Sequence, residues 1–370
     1  MAGFGGFQQI GKPAADKYIA ACQKLGCYMR ILFVCDRSAG HIFPALAMAK
    51  AQIEQGRDDK VYFFATSLFL KERLTEEGFK AFGKCFSSRN IVVEAFYRFF
   101  EALYLIFRIR PHKLIGFGGR DSFFLILLGS LFFLDTSIYE PNVNCGRANI
   151  VLSFFVRKVL CGFNRANCGK KYITIGIPLR PNIKKINKNE ALKTLGFNDT
   201  PVIFCFGGSQ GSVFLNEIFT KLIDSIRGNY QVIHLAGQRE YFKISQFYNK
   251  MNINKFVKDF YYQMELLYSA ADIVICRAGA STLAELAYYK LPAILIPHPA
   301  AGGHQKANAM YFKERQAAYV FLQENFDFGQ FRDTAEKLLQ NKDLRENIRD
   351  NLNDIKIGIA FEDFCRNNCF

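Results

Sequence analysis

This 370-residue chain lacks several features, and each absence narrows what it can be. No CxxC pair occurs among its 11 cysteines, and their number is odd. Cys205 and Cys276 sit inside apolar stretches, where a thiol behaves as a small hydrophobe. Structural zinc is therefore not expected, and a reducing compartment is. The formal charge is +15, yet the chain has no dense run of Lys or Arg and no nucleic-acid motif. Nucleic acid is thus not an expected partner. An anionic membrane or a phosphorylated substrate remains, beside the plain alternative of a basic solvated surface. No apolar run is long enough to span a bilayer, which takes about 20 residues. The longest, FFLILLGSLFFL at 123–134, is bounded by Asp121 and Asp135. It reads equally as a buried helix or as a membrane-facing patch. Residues 1–28 are polar, rich in Gly and Ala, and without the apolar segment of a secretory signal. They are expected to be an extension outside the fold, ending where Met29 opens the first strand.

What is present is a chain that is half hydrophobic and long enough for two cores. Short runs rich in Val, Ile and Phe alternate with longer helical patterns. ILFVC at 31–35 precedes a predicted helix from Pro44 to about Gln55, closed by Gly56. VYFF, KLIGF, SIYE and ITIG continue as predicted strands. The pattern restarts at VIFCF (202–206), with a predicted helix at 211–226, and QVIHLAG, KFVKDF, DIVIC and AILIP follow as strands. Between the halves lies a polar stretch, PNIKKINKNEALKTLGFNDTP, which holds the linker. The fold class is therefore α/β: two doubly wound, Rossmann-like domains facing a central cleft, with ligands at the carboxyl ends of the strands.

Three segments carry chemistry. FGGSQGS at 206–212 lies between a strand and a helix. Gly207, Gly208 and Gly211 permit tight turns, and Ser209 with the free N–H groups of the helix start can hold a phosphate. A simple tight turn would use the same glycines. In the second segment, DIVICRAGASTLAELAYYKLPAILIPHP (272–299), Ser281 and Thr282 are expected to cap a helix that carries Glu285. That carboxylate can accept both hydroxyls of a ribose, or merely offset the helix dipole. The loop AAGGHQKANA then leads to His304, Gln305 and Asn308 at a new helix start, where Gln305 and Asn308 can meet sugar hydroxyls or simply form a polar terminus. The third segment, SAGHIFPALAMAKA at 38–51, places His41 between the first strand and its helix. A helix start disfavours the imidazolium, which suits a general base, although a lone His is more often structural.

Taken in order, GHIFPALA (40–47), GFGG (116–119), YEPNVNCGRAN (139–149), GIPLR (176–180), FGGSQGS, RAGASTLAEL (277–286) and HQKANA resemble the MurG family. These are the UDP-N-acetylglucosamine–N-acetylmuramyl-(pentapeptide) pyrophosphoryl-undecaprenol N-acetylglucosamine transferases. The resemblance runs from about Met29 to the C-terminal region. It implies the GT-B fold, with residues 29–180 as an acceptor and membrane-side domain and 181–345 as the UDP-sugar domain. Residues 346–370 would form a helix that packs back toward the first domain. It implies that Gly207, Gly208, Ser209, Gln210 and Gly211 hold the UDP diphosphate, with Arg180 adding positive charge. Glu285 would bind the ribose, Ala280 and Thr282 would line the donor, and Gln305 would contact the sugar. His41 would be the base, and Ser38, Gly40, Gly118, Gly119 and Asn142 would face the lipid-linked acceptor. Implied partners are UDP-N-acetylglucosamine, the undecaprenyl-linked muramyl-peptide, an anionic membrane surface and cell-wall synthesis proteins. The implied location is peripheral, on the cytoplasmic face of the inner membrane.

Three departures fall on the acceptor side. The first loop reads Asp36-Arg37-Ser38-Ala39-Gly40 where the family is glycine-dense, Tyr139-Glu140-Pro141-Asn142 replaces HEQN, and Arg120 follows GFGG. The expected reaction is a direct displacement at the anomeric carbon, inverting it, with no obligatory cofactor and no metal, since no DxD-type site lies near the diphosphate loop. Three other readings fit the donor-side motifs: another UDP-sugar transferase acting on a glycolipid, a catalytically impaired membrane-binding relative, and a UDP-N-acetylglucosamine 2-epimerase.

Overall fold

The computed structural model describes residues 28–36, 39–54, 59–164, 169–180, 183–208, 210–300, 302–355 and 357, with Ala39, Gly40 and His41 described in backbone only. The expected extension lies outside the described residues apart from Tyr28, as do Gly56, Ser38, Ser209 and the end of the chain beyond 357. The described residues form two compact units. The first runs to Pro141 and resumes over Cys145–Pro178; the second holds Asn142–Asn144 and continues from Leu179. Arg180 is thereby grouped with the second unit, two residues from the boundary expected after it.

In the first unit, β1 (Arg30–Val34), β2 (Lys60–Phe64), β3 (Lys80–Phe82), β4 (Lys113–Gly116), β5 (Asp135–Glu140), β6 (Lys158–Cys161) and β7 (Tyr172–Thr174) form one sheet. Its order is β3-β2-β1-β4-β5-β6-β7, and every pairing is parallel. Helices α1 (Ala39–Glu54), α2 (Leu68–Glu76), α3 (Ile91–Ile109), α4 (Phe123–Leu131) and α5 (Arg147–Leu152) lie between the strands in the chain. The strand period of two explains why both faces need cover. Ile31, Phe33 and Cys35 enter one core with Ile42, Leu46 and Phe63; Leu32 and Val34 enter the other with Leu105, Ile106 and Ile126.

The second unit repeats the plan with α6 (Lys188–Leu195), β8 (Val202–Phe206), α7 (Val213–Ser225), β9 (Gln231–Leu235), α8 (Tyr241–Asn249) and β10 (Lys255–Lys258). There follow α9 (Met264–Ala270), β11 (Ile273–Cys276), α10 (Ala280–Tyr289), β12 (Ala293–Leu295), α11 (His304–Glu314), β13 (Tyr319–Val320), α12 (Phe328–Gln340) and α13 (Lys342–Asn353). The sheet order is β10-β9-β8-β11-β12-β13, again all parallel. Residues Ile203, Phe204 and Cys205 are fully buried, as the run VIFCF requires of a strand covered on both faces.

One helix starts earlier than the sequence suggests. α1 begins at Ala39, five residues before Pro44, which sits inside it. The reason is packing: Ile42, Ala45, Leu46 and Ala49 are all buried and share one face. That burial outweighs the hydrogen bond Pro44 cannot donate. His41 consequently lies within the first turn, not in the loop before the helix. The apolar run at 123–134 splits its roles. Leu125, Ile126, Leu128 and Gly129 of α4 are buried, whereas Leu131, Phe132 and Phe133 are exposed. Among the described residues no helix is long and apolar enough to cross a membrane.

Candidate active site

In each sheet the strand order reverses once, between β1 and β4 and between β8 and β11. A doubly wound sheet opens a crevice at such a point, beyond the carboxyl ends of the two strands. In the second unit the flanking loops are Gly207–Ser212 and Arg277–Gly279, the two segments that sequence reasoning singles out.

The glycine loop is built by contact. Gly211 has φ +74°, and a Cβ there would lie 2.5 Å from the Ala236 carbonyl oxygen and 2.8 Å from Gly237 Cα. Gly208 has φ +93° with open space beside it, so its requirement is conformational. Gln210 sits at the turn, and Ser209 lies outside the described residues. Ser212 then caps α7, its Oγ accepting from the Leu215 N–H at 3.4 Å. The first turn of α7 contains no acidic residue, so the positive end of its dipole is unopposed from within. Arg277 fixes this corner. Its Nη2 donates to Ser212 Oγ at 2.8 Å, and its Nη1 donates to the carbonyls of Ile296 (3.0 Å) and Pro297 (3.3 Å) and to Gln323 Oε1 (3.0 Å). Burial lowers the guanidinium's pKa from its ordinary value.

Glu285 is buried on α10, with a side chain only 3% exposed. Arg180 meets it as a fork: Nε to Oε1 at 2.6 Å and Nη2 to Oε2 at 2.6 Å. The Tyr268 hydroxyl donates to Oε2 at 2.8 Å. Burial works against the Arg180 cation, but the Glu285 carboxylate outweighs it and raises the guanidinium's pKa. The ribose and diphosphate candidates are therefore partners of one another here. Cys276 on β11 is pushed up by burial, then by the Glu285 charge, and stays a thiol.

The sugar-side residues differ in detail from the expectation. Neither Ser281 nor Thr282 caps α10; Gly279 is its N-cap, without a side-chain bond. Ala280 is buried directly after the strand turn, so the helix begins there and both hydroxyls fall within its first turn. Gln305 Oε1 accepts from the His298 N–H at 2.9 Å. Asn308 is fully buried, its Nδ2 donating to Asn142 Oδ1 (3.0 Å) and to the Ala278 carbonyl (3.2 Å). Asn142, expected with the acceptor residues, thus bonds to Asn308 within the second unit.

In the first unit the loops after β1 and β4 meet. Gly118 and Gly119 have φ +88° and +91°. A Cβ on Gly119 would stand 2.1 Å from Asp36 Oδ2, and the same oxygen accepts from the Arg120 N–H at 3.2 Å. Asp36 therefore ties the two loops together through the main chain at residue 120, while the Arg120 side chain pairs with Glu94 instead, Nη2 to Oε2 at 3.0 Å. Glu140 holds its own loop: Oε2 accepts from the Gly146 N–H (2.8 Å) and Asn149 Nδ2 (3.0 Å). Gly40 and His41 lie in the first turn of α1, with their side-chain surroundings outside the described residues. Tyr268 and Arg277 are the two site residues without a role expected from the sequence. Tyr268 carries no sequence signal, since an aromatic on a short apolar helix reads as core. Arg277 was visible within RAGAS, but only its partners reveal its role.

The model of the glycosyltransferase family 28 C-terminal domain matches residues 202–358. A UDP-N-acetylglucosamine–N-acetylmuramyl-(pentapeptide) pyrophosphoryl-undecaprenol N-acetylglucosamine transferase of Caldanaerobacter subterraneus subsp. tengcongensis is 31% identical over 342 residues, 87% of this chain and 94% of the relative. The crystal structure of Acinetobacter baumannii MurG superposes with a TM-score of 0.76 at 23% identity, covering 91% of this chain and 98% of that one. A putative UDP-N-acetylglucosamine 2-epimerase from Listeria monocytogenes shares the fold, with a TM-score of 0.70 at 10% identity over 92% and 94% of the two chains. The architecture is GT-B. The chain belongs to the family of UDP-N-acetylglucosamine–N-acetylmuramyl-(pentapeptide) pyrophosphoryl-undecaprenol N-acetylglucosamine transferases.

Proposed function

We propose that the chain transfers N-acetylglucosamine from UDP-N-acetylglucosamine to undecaprenyl-pyrophosphoryl-N-acetylmuramyl-pentapeptide, inverting the anomeric carbon. The observation that carries this reading is the second unit's switch point, where a glycine loop at a helix start adjoins the buried Glu285 with Arg180. Gly207, Gly208, Ser209, Gln210 and Gly211 hold the diphosphate through backbone N–H groups, and the start of α7 stabilises the departing UDP. Arg180 adds charge to the same phosphates. Glu285 takes the ribose diol, Ala280 and Thr282 line the nucleotide, and Gln305 meets the sugar. His41 removes the proton from the acceptor hydroxyl as that oxygen attacks the anomeric carbon and the bond to UDP breaks. Ser38, Gly40, Gly118, Gly119 and Asn142 serve the acceptor. Fixed protein dipoles and Arg180 supply the positive charge, so no metal is obligatory in this reading, and turnover should survive excess EDTA.

The acceptor is membrane-bound, and a peripheral site at the cytoplasmic face of the membrane fits this chain. Support comes from α3, where Val92, Phe96, Phe100, Tyr104 and Phe107 are all exposed. Phe107 continues into Phe132 with ring centroids 5.9 Å apart. A contiguous apolar face of this kind marks a contact surface. The proposal is tested by following UDP release with and without acceptor. UDP released only when the lipid-linked acceptor is present supports it. UDP-N-acetylmannosamine formed without acceptor would place the chain with the epimerases instead.

A further inference from the structure

Glu285 is occupied before any ligand arrives. Its two oxygens accept three hydrogen bonds, two from Arg180 at 2.6 Å and one from Tyr268 at 2.8 Å. A ribose diol that takes both oxygens competes with the Arg180 fork for them. A buried carboxylate stripped of its cation is strongly disfavoured. The exchange is therefore most favourable for a ligand that brings hydroxyls for Glu285 and a new anion for Arg180. A nucleoside diphosphate brings both. During that exchange one donor has nowhere to go. Tyr268 is fully buried on α9, its ring edge-on to Phe204 (5.7 Å) and Phe206 (6.0 Å) and tilted against Tyr289 (5.2 Å). Burial, and then the Glu285 charge, push its phenol well above the ordinary range, so it remains a proton donor.

We propose that Tyr268 is a positioning residue of the donor site: it fixes Glu285 Oε2 while Arg180 exchanges the carboxylate for the diphosphate of the UDP-sugar. This rests on Glu285 being the ribose ligand. Tyr268 itself touches no substrate; it acts by keeping the carboxylate in the rotamer that the diol requires.

Calorimetry on the full chain with UDP and 2′,3′-dideoxy-UDP tests it, in wild type, Tyr268→Phe and Arg180→Gln, with a thermal melt of each. Wild type should prefer UDP by about tenfold or more, the weight of hydrogen bonds to a charged group. Tyr268→Phe should bind dideoxy-UDP as wild type does and lose most of the preference for UDP. Arg180→Gln should weaken both nucleotides alike and keep the preference. An unchanged preference in Tyr268→Phe overturns the proposal, and so does equal weakening of both nucleotides, which a merely structural role would give. If Tyr268→Phe does not fold, Arg180→Gln decides: a preference kept supports Tyr268 as the holder, and a preference lost moves that role to Arg180. A wild type with no preference at all removes the ribose reading as well, an outcome distinct from the others.

Discussion

A histidine sealed from water titrates unlike one in a loop, and His234 on β9 is of the first kind. It is fully buried between Tyr248 Oη (3.2 Å) and Asn216 Oδ1 (3.1 Å), and burial lowers its pKa to about 3. The unfolded chain binds that proton near pH 6.5. Between those values the unfolded state holds more protons than the folded one, so stability rises with pH there. The contribution is complete above about pH 6.5 and is lost progressively as pH falls toward 3, at up to about 1.4 kcal/mol per pH unit. Carboxylates titrate in the same range, so the comparison is with His234→Gln. Denaturant midpoints of the variant should fall less steeply between pH 6.5 and 4 than those of wild type. Parallel slopes would mean that His234 is not held neutral. His41 belongs to a different kind of prediction. His41→Ala should lower turnover by about 10²–10⁴-fold, the usual weight of a general base, with UDP affinity and melting temperature near wild type. Near-normal turnover at saturating acceptor would assign the proton to another group.

Helix α3 carries large apolar side chains on its exposed face as well as on its buried one. Ala102, Leu105, Ile106 and Ile109 are buried, while Phe96, Phe100, Tyr104 and Phe107 face outward. Flotation with anionic vesicles should recover the chain at low salt and less of it at high salt, because screening weakens attraction between a basic protein and anionic lipid. A Phe96→Ser, Phe100→Ser double variant should float markedly less while melting like wild type. Undiminished flotation would move the contact elsewhere. Elements were legible in the sequence where burial is two-sided, as in VIFCF and DIVIC, because an unbroken apolar run permits few readings. The strands Lys80–Phe82 and Tyr319–Val320 at sheet edges were not, being two or three residues long and partly exposed. β6, Lys158–Cys161, was also missed: its apolar run is too short to stand out after Arg157 and Lys158. The start of α1 departs from the sequence expectation because Pro44 is a strong local signal and the burial of Ile42 is a tertiary one. The site divides the same way. The loop glycines and Glu285 show in the sequence, whereas the fork from Arg180 and the hydroxyl of Tyr268 depend on residues 105 and 17 positions away.

At the scale of the whole chain, two all-parallel sheets with the same reversal of strand order account for the division of labour proposed above. The donor-side residues gather in the second unit, where the family model also matches. The departures at Asp36 and Arg120 lie in the first: Asp36 accepts from the main-chain N–H at 120 and so closes the loop, and the Arg120 side chain pairs with Glu94. Fold alone does not separate a transferase from an epimerase, since both share this plan. The decisive measurement is therefore transfer itself, with radiolabelled UDP-N-acetylglucosamine and undecaprenyl-pyrophosphoryl-N-acetylmuramyl-pentapeptide. The account predicts acceptor-dependent label in the lipid phase, joined with the anomeric configuration opposite to that of the donor. Label that stays in the aqueous phase with acceptor present, or that joins the lipid with retained configuration, would contradict it.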